Sequence, residues 1–152
     1  MNTETLESLA LDLSKTAPRS PRERLGDYVV AARTLDKCRS VLLEKNDEYH
    51  FDCPLDNFFF EFTGIQAGAF KEFVATGADD VEVAAWIDRT AKDQPRTDIV
   101  LWNNSMRYKR ISEMPPELQL FLEDYIPEMI PAKRLHEVRY WFDVYDIEED
   151  RM

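Results

Sequence analysis

The sequence predicts an all-α protein: a single compact multi-helix domain over 1–152 with at most one short extended segment. Three observations predict it. Gly and Pro divide the chain into helix-length pieces. Within those pieces apolar residues recur at three- and four-residue spacing, and no region shows sustained period-two alternation. The chain of 152 residues, 44% hydrophobic and with three tryptophans, is long enough to close a core without disulfides. No internal repeat or low-complexity stretch interrupts it, and fraying is expected only over 1–10 and 147–152.

The first clear helix is expected from Ser20 to about Glu44. Ser20 can cap it, Pro21 suits the first helical position, and Glu23 completes a capping box. Leu25, Tyr28, Val29, Ala32, Leu35 and Leu43 then fall on one stripe. Asn46-Asp47 breaks the pattern. Tyr49, Phe51 and Cys53 alternate, which suggests a short extended segment ending at Pro54. Asp56 is placed as the cap of a short helix, 57–63, that stops at Gly64. Its phenylalanines, Phe58, Phe59, Phe60 and Phe62, call for burial on nearly every side. Further helices are expected over about 66–76, from Asp79 with Val83, Trp86 and Ile87 inward, and from Thr97 or Asp98 with Ile99, Leu101, Trp102 and Met106. One more opens at Pro115-Pro116, with Pro127 and Pro131 as interruptions, and the last runs over about 132–145. The segment 91–98 is the best linker candidate, read as a loop inside one domain.

Thirty acidic and nineteen basic residues give a net charge of -11. Such a chain is repelled by nucleic acid and by anionic membrane surfaces, so neither is an expected partner. No apolar run approaches the roughly twenty residues that cross a bilayer. Met1–Asp12 lacks the pattern of a secretory signal, and two cysteines make no disulfide framework, so a reducing cytoplasm is the expected compartment. The charge is uneven. Between Lys15 and Lys45 eight bases face four acids, a local +4 that leaves -15 elsewhere. This basic first helix is the leading reading of function: a non-enzymatic module that binds a protein partner or a small anion.

Four constellations bear on chemistry. Arg19 and Arg22, near the expected start of the first helix, suit a phosphate or a carboxylate, from outside or from the protein's own side chains. Asp36 and Arg39 fall on the same stripe as Leu25 and Ala32. Charges facing a core must be paired or must line a wet cavity, with Arg33 and Lys37 at its rim. His50 and Asp52 point to one side of an extended segment, offering two metal ligands that Asp36 or His136 could extend. With Cys53 and Asp56 nearby, this supports the alternative of a small enzyme, possible metal dependence included, whose pocket lies between the first helix and 49–56. There Asp36 or Asp52 is the base, His50 an acid or ligand, and Arg33 or Arg39 the substrate-charge partner. No motif for a cofactor or a structural zinc is present, so no cofactor is assigned. Finally, an aromatic-rich small domain can expose one apolar patch, which leaves a structural subunit of a homo-oligomer as a third reading.

At Leu11-Asp12-Leu13-Ser14-Lys15, Pro18 to Gly26 and Leu35-Asp36-Lys37 the sequence resembles a family of small bacterial proteins catalogued as domain of unknown function 5069. The resemblance continues through Tyr49–Asp56 and Phe59–Ile65, and more faintly at Ala75–Ala78, Trp86, Trp102-Asn103, Phe142-Asp143, Asp146 and Glu148. It implies one bacterial domain and supplies no activity and no catalytic residues. The chain departs from the family pattern at Asp27, where a glycine is common, and at Cys38, where alanine is common, which argues against an essential Cys38 thiol.

Overall fold

A computed structural model describes all 152 residues. The fold is all-α apart from one two-residue strand pair, and the chain forms two compact units, Met1–Ile99 and Val100–Met152.

In the first unit, α1 (Thr3–Leu9) begins where the Asn2 side chain accepts the Thr5 N–H, so the N-terminus expected to fray is helical. The largest correction follows. The helix expected from Ser20 begins only at Ala31. Residues before it form a hairpin of β1 (Arg24–Leu25) and β2 (Tyr28–Val29), turned by Gly26-Asp27. Gly26 adopts φ +58, a left-handed conformation that ends the helical option at that point. Ser20 accepts the Glu23 N–H through its carbonyl and the Arg22 N–H through its hydroxyl, so the capping signature closes a turn instead of opening a helix.

Helix α2 (Ala31–Leu42) starts abruptly. Its cap, Val30, holds φ +72 with a β-branched side chain, and no side chain caps it. Ten consecutive residues, Ala31–Ser40, are buried. At its end the Ser40 hydroxyl donates to the Leu11 carbonyl, and the Leu13 N–H donates to Lys45 just beyond.

No strand forms over 49–53. Asp47 and Asp52 adopt positive φ, so the segment turns and the expected alternation never develops. Helix α3 (Pro54–Thr63) starts three residues early, with Cys53 at the cap position and Pro54 first. Asp56 sits inside the first turn, and its carboxylate accepts the Asp52 N–H. Gly64 ends the helix at φ +73. Helix α4 (Ala67–Val74) follows, then α5 (Asp80–Thr90), whose cap Asp79 forms a reciprocal box with Glu82. The aromatic core joins Phe59, Phe60 and Trp86 to Phe70 through edge contacts, with Phe60 tilted against Phe59 and Phe51 stacked on Phe70.

Helix α6 (Arg96–Arg107) carries the chain into the second unit, starting just before the expected Thr97 or Asp98. Leu101, expected inward, is exposed. Helix α7 (Pro116–Met129) accommodates Pro127 in its last turn instead of stopping there. The expected helix over 132–145 divides. Ala132–Glu137 is a 3-10 turn, and α8 (Trp141–Glu148) restarts because the Asp143 carboxylate takes the Arg139 and Tyr140 N–H groups, both at 2.9 Å. The start of the expected tail is therefore helical, with Asp146 buried. The core of this unit is Ile130, Val144 and Ile147, flanked by Ile111, Tyr125, Ile126 and Val138.

Candidate functional site

Helix α2 carries four buried charged side chains: Arg33, Asp36, Lys37 and Arg39, each between 2 and 5% exposed. A buried charge is tolerable only when matched, and each of these meets a partner from another segment. Asp36 does not pair with Arg39, three residues on. Its carboxylate takes the Arg19 Nε and guanidinium Nη2 at 3.0 and 2.9 Å, and the Arg19 N–H at 2.9 Å. Arg39 donates to Asp80 at 2.9 Å and to the Ala78 carbonyl at 3.0 Å. Asp80 bridges both arginines, since its second oxygen accepts from Arg19 at 2.8 Å. The ammonium of Lys37 lies 2.9 Å from Asp56, which is fully buried, and 3.1 Å from the Cys53 sulfur. Arg33 donates to the Arg19 carbonyl and lies over the Tyr49 ring at 5.6 Å.

These contacts decide the local electrostatics. Burial alone would lower the Arg19 pKa, but Asp36 and then Asp80 hold it above its ordinary value. Burial would raise the Asp80 carboxyl; the hydrogen bonds and charges of Arg19 and Arg39 outweigh it and hold the group below the usual range. Burial pushes the Cys38 thiol up to about 12, so it stays protonated and unreactive.

A hollow does lie between the end of α2 and the segment around 49–52, but the candidate residues divide between it and a second one. Asp36 and Arg39 line one hollow of about 540 Å³, with Arg19, Asp80, Leu9, Leu11 and Val81. His50 and Asp52 line another, of about 400 Å³, between the end of α2 at Val41, the turn segment from Asn46 to Asp52, and α4 at Ala67, Gly68 and Lys71. Of the basic candidates, Arg33 and Lys37 are enclosed, Arg19 is held by two carboxylates, and Arg22 is half-buried. No three His, Cys, Asp or Glu side chains gather as a metal would require, and Asp36 does not complete the His50–Asp52 set.

The 400 Å³ hollow differs from the arginine network in one respect. The side chains of His50, Asp52 and Lys71 make no hydrogen bond or ion pair within the protein. Its apolar floor comes from Phe51, Val41 and Ala67. Gly68 widens it, since a Cβ there would meet nothing within 4 Å. The segment leading into it holds Glu44, Asp47 and Asp52 at φ +56, +48 and +64, a concentration of left-handed residues that fixes the direction of the His50 and Asp52 side chains. Sequence reasoning passed over Lys71 and Gly68. The available signal was their three-residue spacing, which puts both on one face of α4.

No curated protein matches this chain. A family model does, over residues 15–151, nearly its full length. The chain belongs to the family described as a domain of unknown function, DUF5069.

Proposed function

We propose that the protein is a binding module for a small anionic molecule, held in the hollow between the end of α2, the 46–52 turns and α4. One observation carries this reading: three ionisable side chains with no partner of their own face one concavity with an apolar floor. Hollows of this size hold small molecules, and this one joins an apolar floor to a few convergent polar groups. Lys71 supplies the charge for a carboxylate or phosphate. His50 and Asp52 hydrogen-bond the polar remainder, and Phe51 receives the apolar part. None of Arg19, Arg22, Arg33 and Lys37 lines this hollow; Arg19, Lys37 and Arg39 meet Asp36, Asp56 and Asp80.

Titration with inorganic phosphate, a sugar phosphate and succinate, followed by amide chemical shifts, tests the reading. Saturable shifts at Phe51, Gly68 and Lys71 are expected. They should disappear in Lys71→Gln, while stability changes by less than about 0.5 kcal/mol because Lys71 has no partner to lose. Retained binding in that variant refutes the role given to Lys71. A catalytic reading draws on the same geometry, since His50 and Asp52 line one hollow and can exchange a proton with a bound molecule. Turnover that fails in His50→Ala while binding persists would establish it.

A further inference from the structure

The second hollow carries an independent inference. Arg19 and Arg39 are held in place without Asp80. The Asp36 carboxylate fixes Arg19 through two side-chain donors and its backbone N–H, and the Ala78 carbonyl fixes Arg39. What remains toward Asp80 is Nη1 of each guanidinium, both aimed at a common point. Asp80 fills that point with one carboxylate oxygen per arginine, at 2.8 and 2.9 Å. Two fixed donors for two oxygens on one carbon is the geometry of carboxylate recognition. The occupant is the least enclosed member of the group: the Asp80 side chain is 44% exposed, against 6% for Asp36 and 3% for Arg39. It sits in the first turn of α5, so a rotation of its own side chain vacates the position. Without it, the two arginines and Asp36 leave a local charge of +1. Arg39 Nε is buried and has no hydrogen-bond partner, so the protein's own groups do not fully satisfy this guanidinium.

The hollow opening onto this pair measures about 540 Å³, and Leu9, Leu11 and Val81 supply apolar walls. We propose that it is a receptor for a short aliphatic carboxylate, whose carboxylate displaces Asp80 from Arg19 and Arg39 and whose chain lies against Leu9, Leu11 and Val81. Asp80 is then a built-in competitor that keeps affinity low and excludes ligands without the planar two-oxygen group. Asp79, also at the rim, keeps its carboxylate on the Glu82 N–H and adds repulsion toward multiply charged anions.

The experiment compares acetate, butyrate and chloride at constant ionic strength, reading the Asp80 and Val81 amides and the arginine side-chain signals in the wild type and in Asp80→Ala. Butyrate is expected to shift these signals saturably in the wild type and to bind Asp80→Ala about tenfold more tightly or better. Each methylene buried should add about fourfold, so acetate should bind more weakly than butyrate. N-acetyl-Ala-Leu, which ends in the same group, separates a free acid from a peptide chain end. Three results overturn the proposal: no response in Asp80→Ala, an equal response to chloride, or a response in Asp80→Ala with none in the wild type. The last makes Asp80 a fixed structural partner. If Asp80→Ala does not fold, Asp80→Asn, which keeps the shape and removes the charge, is held to the same criteria. Lys71→Gln leaves this response unchanged, so failure here and failure of the Lys71 hollow are read separately.

Discussion

Asp56→Asn tests whether matched charge holds α2 in the interior. Asp56 is fully buried, and one of its oxygens takes both the Lys37 ammonium at 2.9 Å and the Thr34 hydroxyl at 2.6 Å. The other takes the Asp52 N–H at 2.9 Å. Asparagine keeps the shape and one acceptor oxygen but leaves the Lys37 ammonium, 3% exposed, without a counter-charge. Breaking a buried pair in this way costs about 3–5 kcal/mol. The lower figure applies here, because the Cys53 sulfur at 3.1 Å remains as a weak partner. In a unit of this size about 3 kcal/mol corresponds to a fall in Tm of roughly 12–24 °C. Lys37→Met should also destabilise, but less, since Asp56 retains the Thr34 and Asp52 donors. The double variant carries no stranded charge, so it should lie about 2 kcal/mol or more above the sum of the single losses. The assay is urea unfolding followed by hydrogen exchange at the α2 amides, which reports the first unit specifically. A cost below about 1 kcal/mol for Asp56→Asn, or strict additivity of the two changes, refutes the argument. Either result means water reaches the ammonium and the pair does not hold the helix.

Other expectations follow from the same contacts. Gly77→Ala places a methyl group 2.9 Å from the Thr5 Cβ at φ +88, so it should cost about 1–3 kcal/mol in thermal unfolding. A loss under about 0.5 kcal/mol would mean that α1 does not pack there. In the native protein an alkylating reagent should modify Cys53, which is partly accessible, and spare Cys38, which is buried with its thiol held near 12. Mass spectrometry showing comparable labelling of both would contradict the buried seat of Cys38. Asp80 has a lowered folded pKa, so its stabilisation is complete above the ordinary aspartate value of about 4 and disappears as the pH falls through the lowered value. Asp80→Asn should therefore flatten the acid limb of the stability curve by less than about 1 kcal/mol, given the exposure of this carboxylate. Superimposable wild-type and variant curves between about pH 5 and 2 would show that the bridge to Arg19 and Arg39 contributes nothing.

Local chemistry determined much of this fold before any tertiary contact. Gly64 had to end α3, Asp79 had to cap α5, and the helical spacing of apolar residues had to yield a mainly α protein. Each depends on residues within a turn of one another, so the sequence carries them directly. Asp36 and Arg39 were legible as buried charges because they share the stripe of Ala32. The start of α2 was not, since the Ser20–Glu23 box serves a turn equally well and Gly26 selects between the two. Only the tertiary structure chose the partners: Asp36 reaches back 17 residues to Arg19, and Arg39 reaches forward 41 to Asp80. It alone separated His50 and Asp52 from Asp36 and Arg39, and brought Lys71 to the former. Spacing along one helix gives a direction for each side chain. Which distant charge arrives there depends on how the remaining helices close around α2, and no local pattern encodes that.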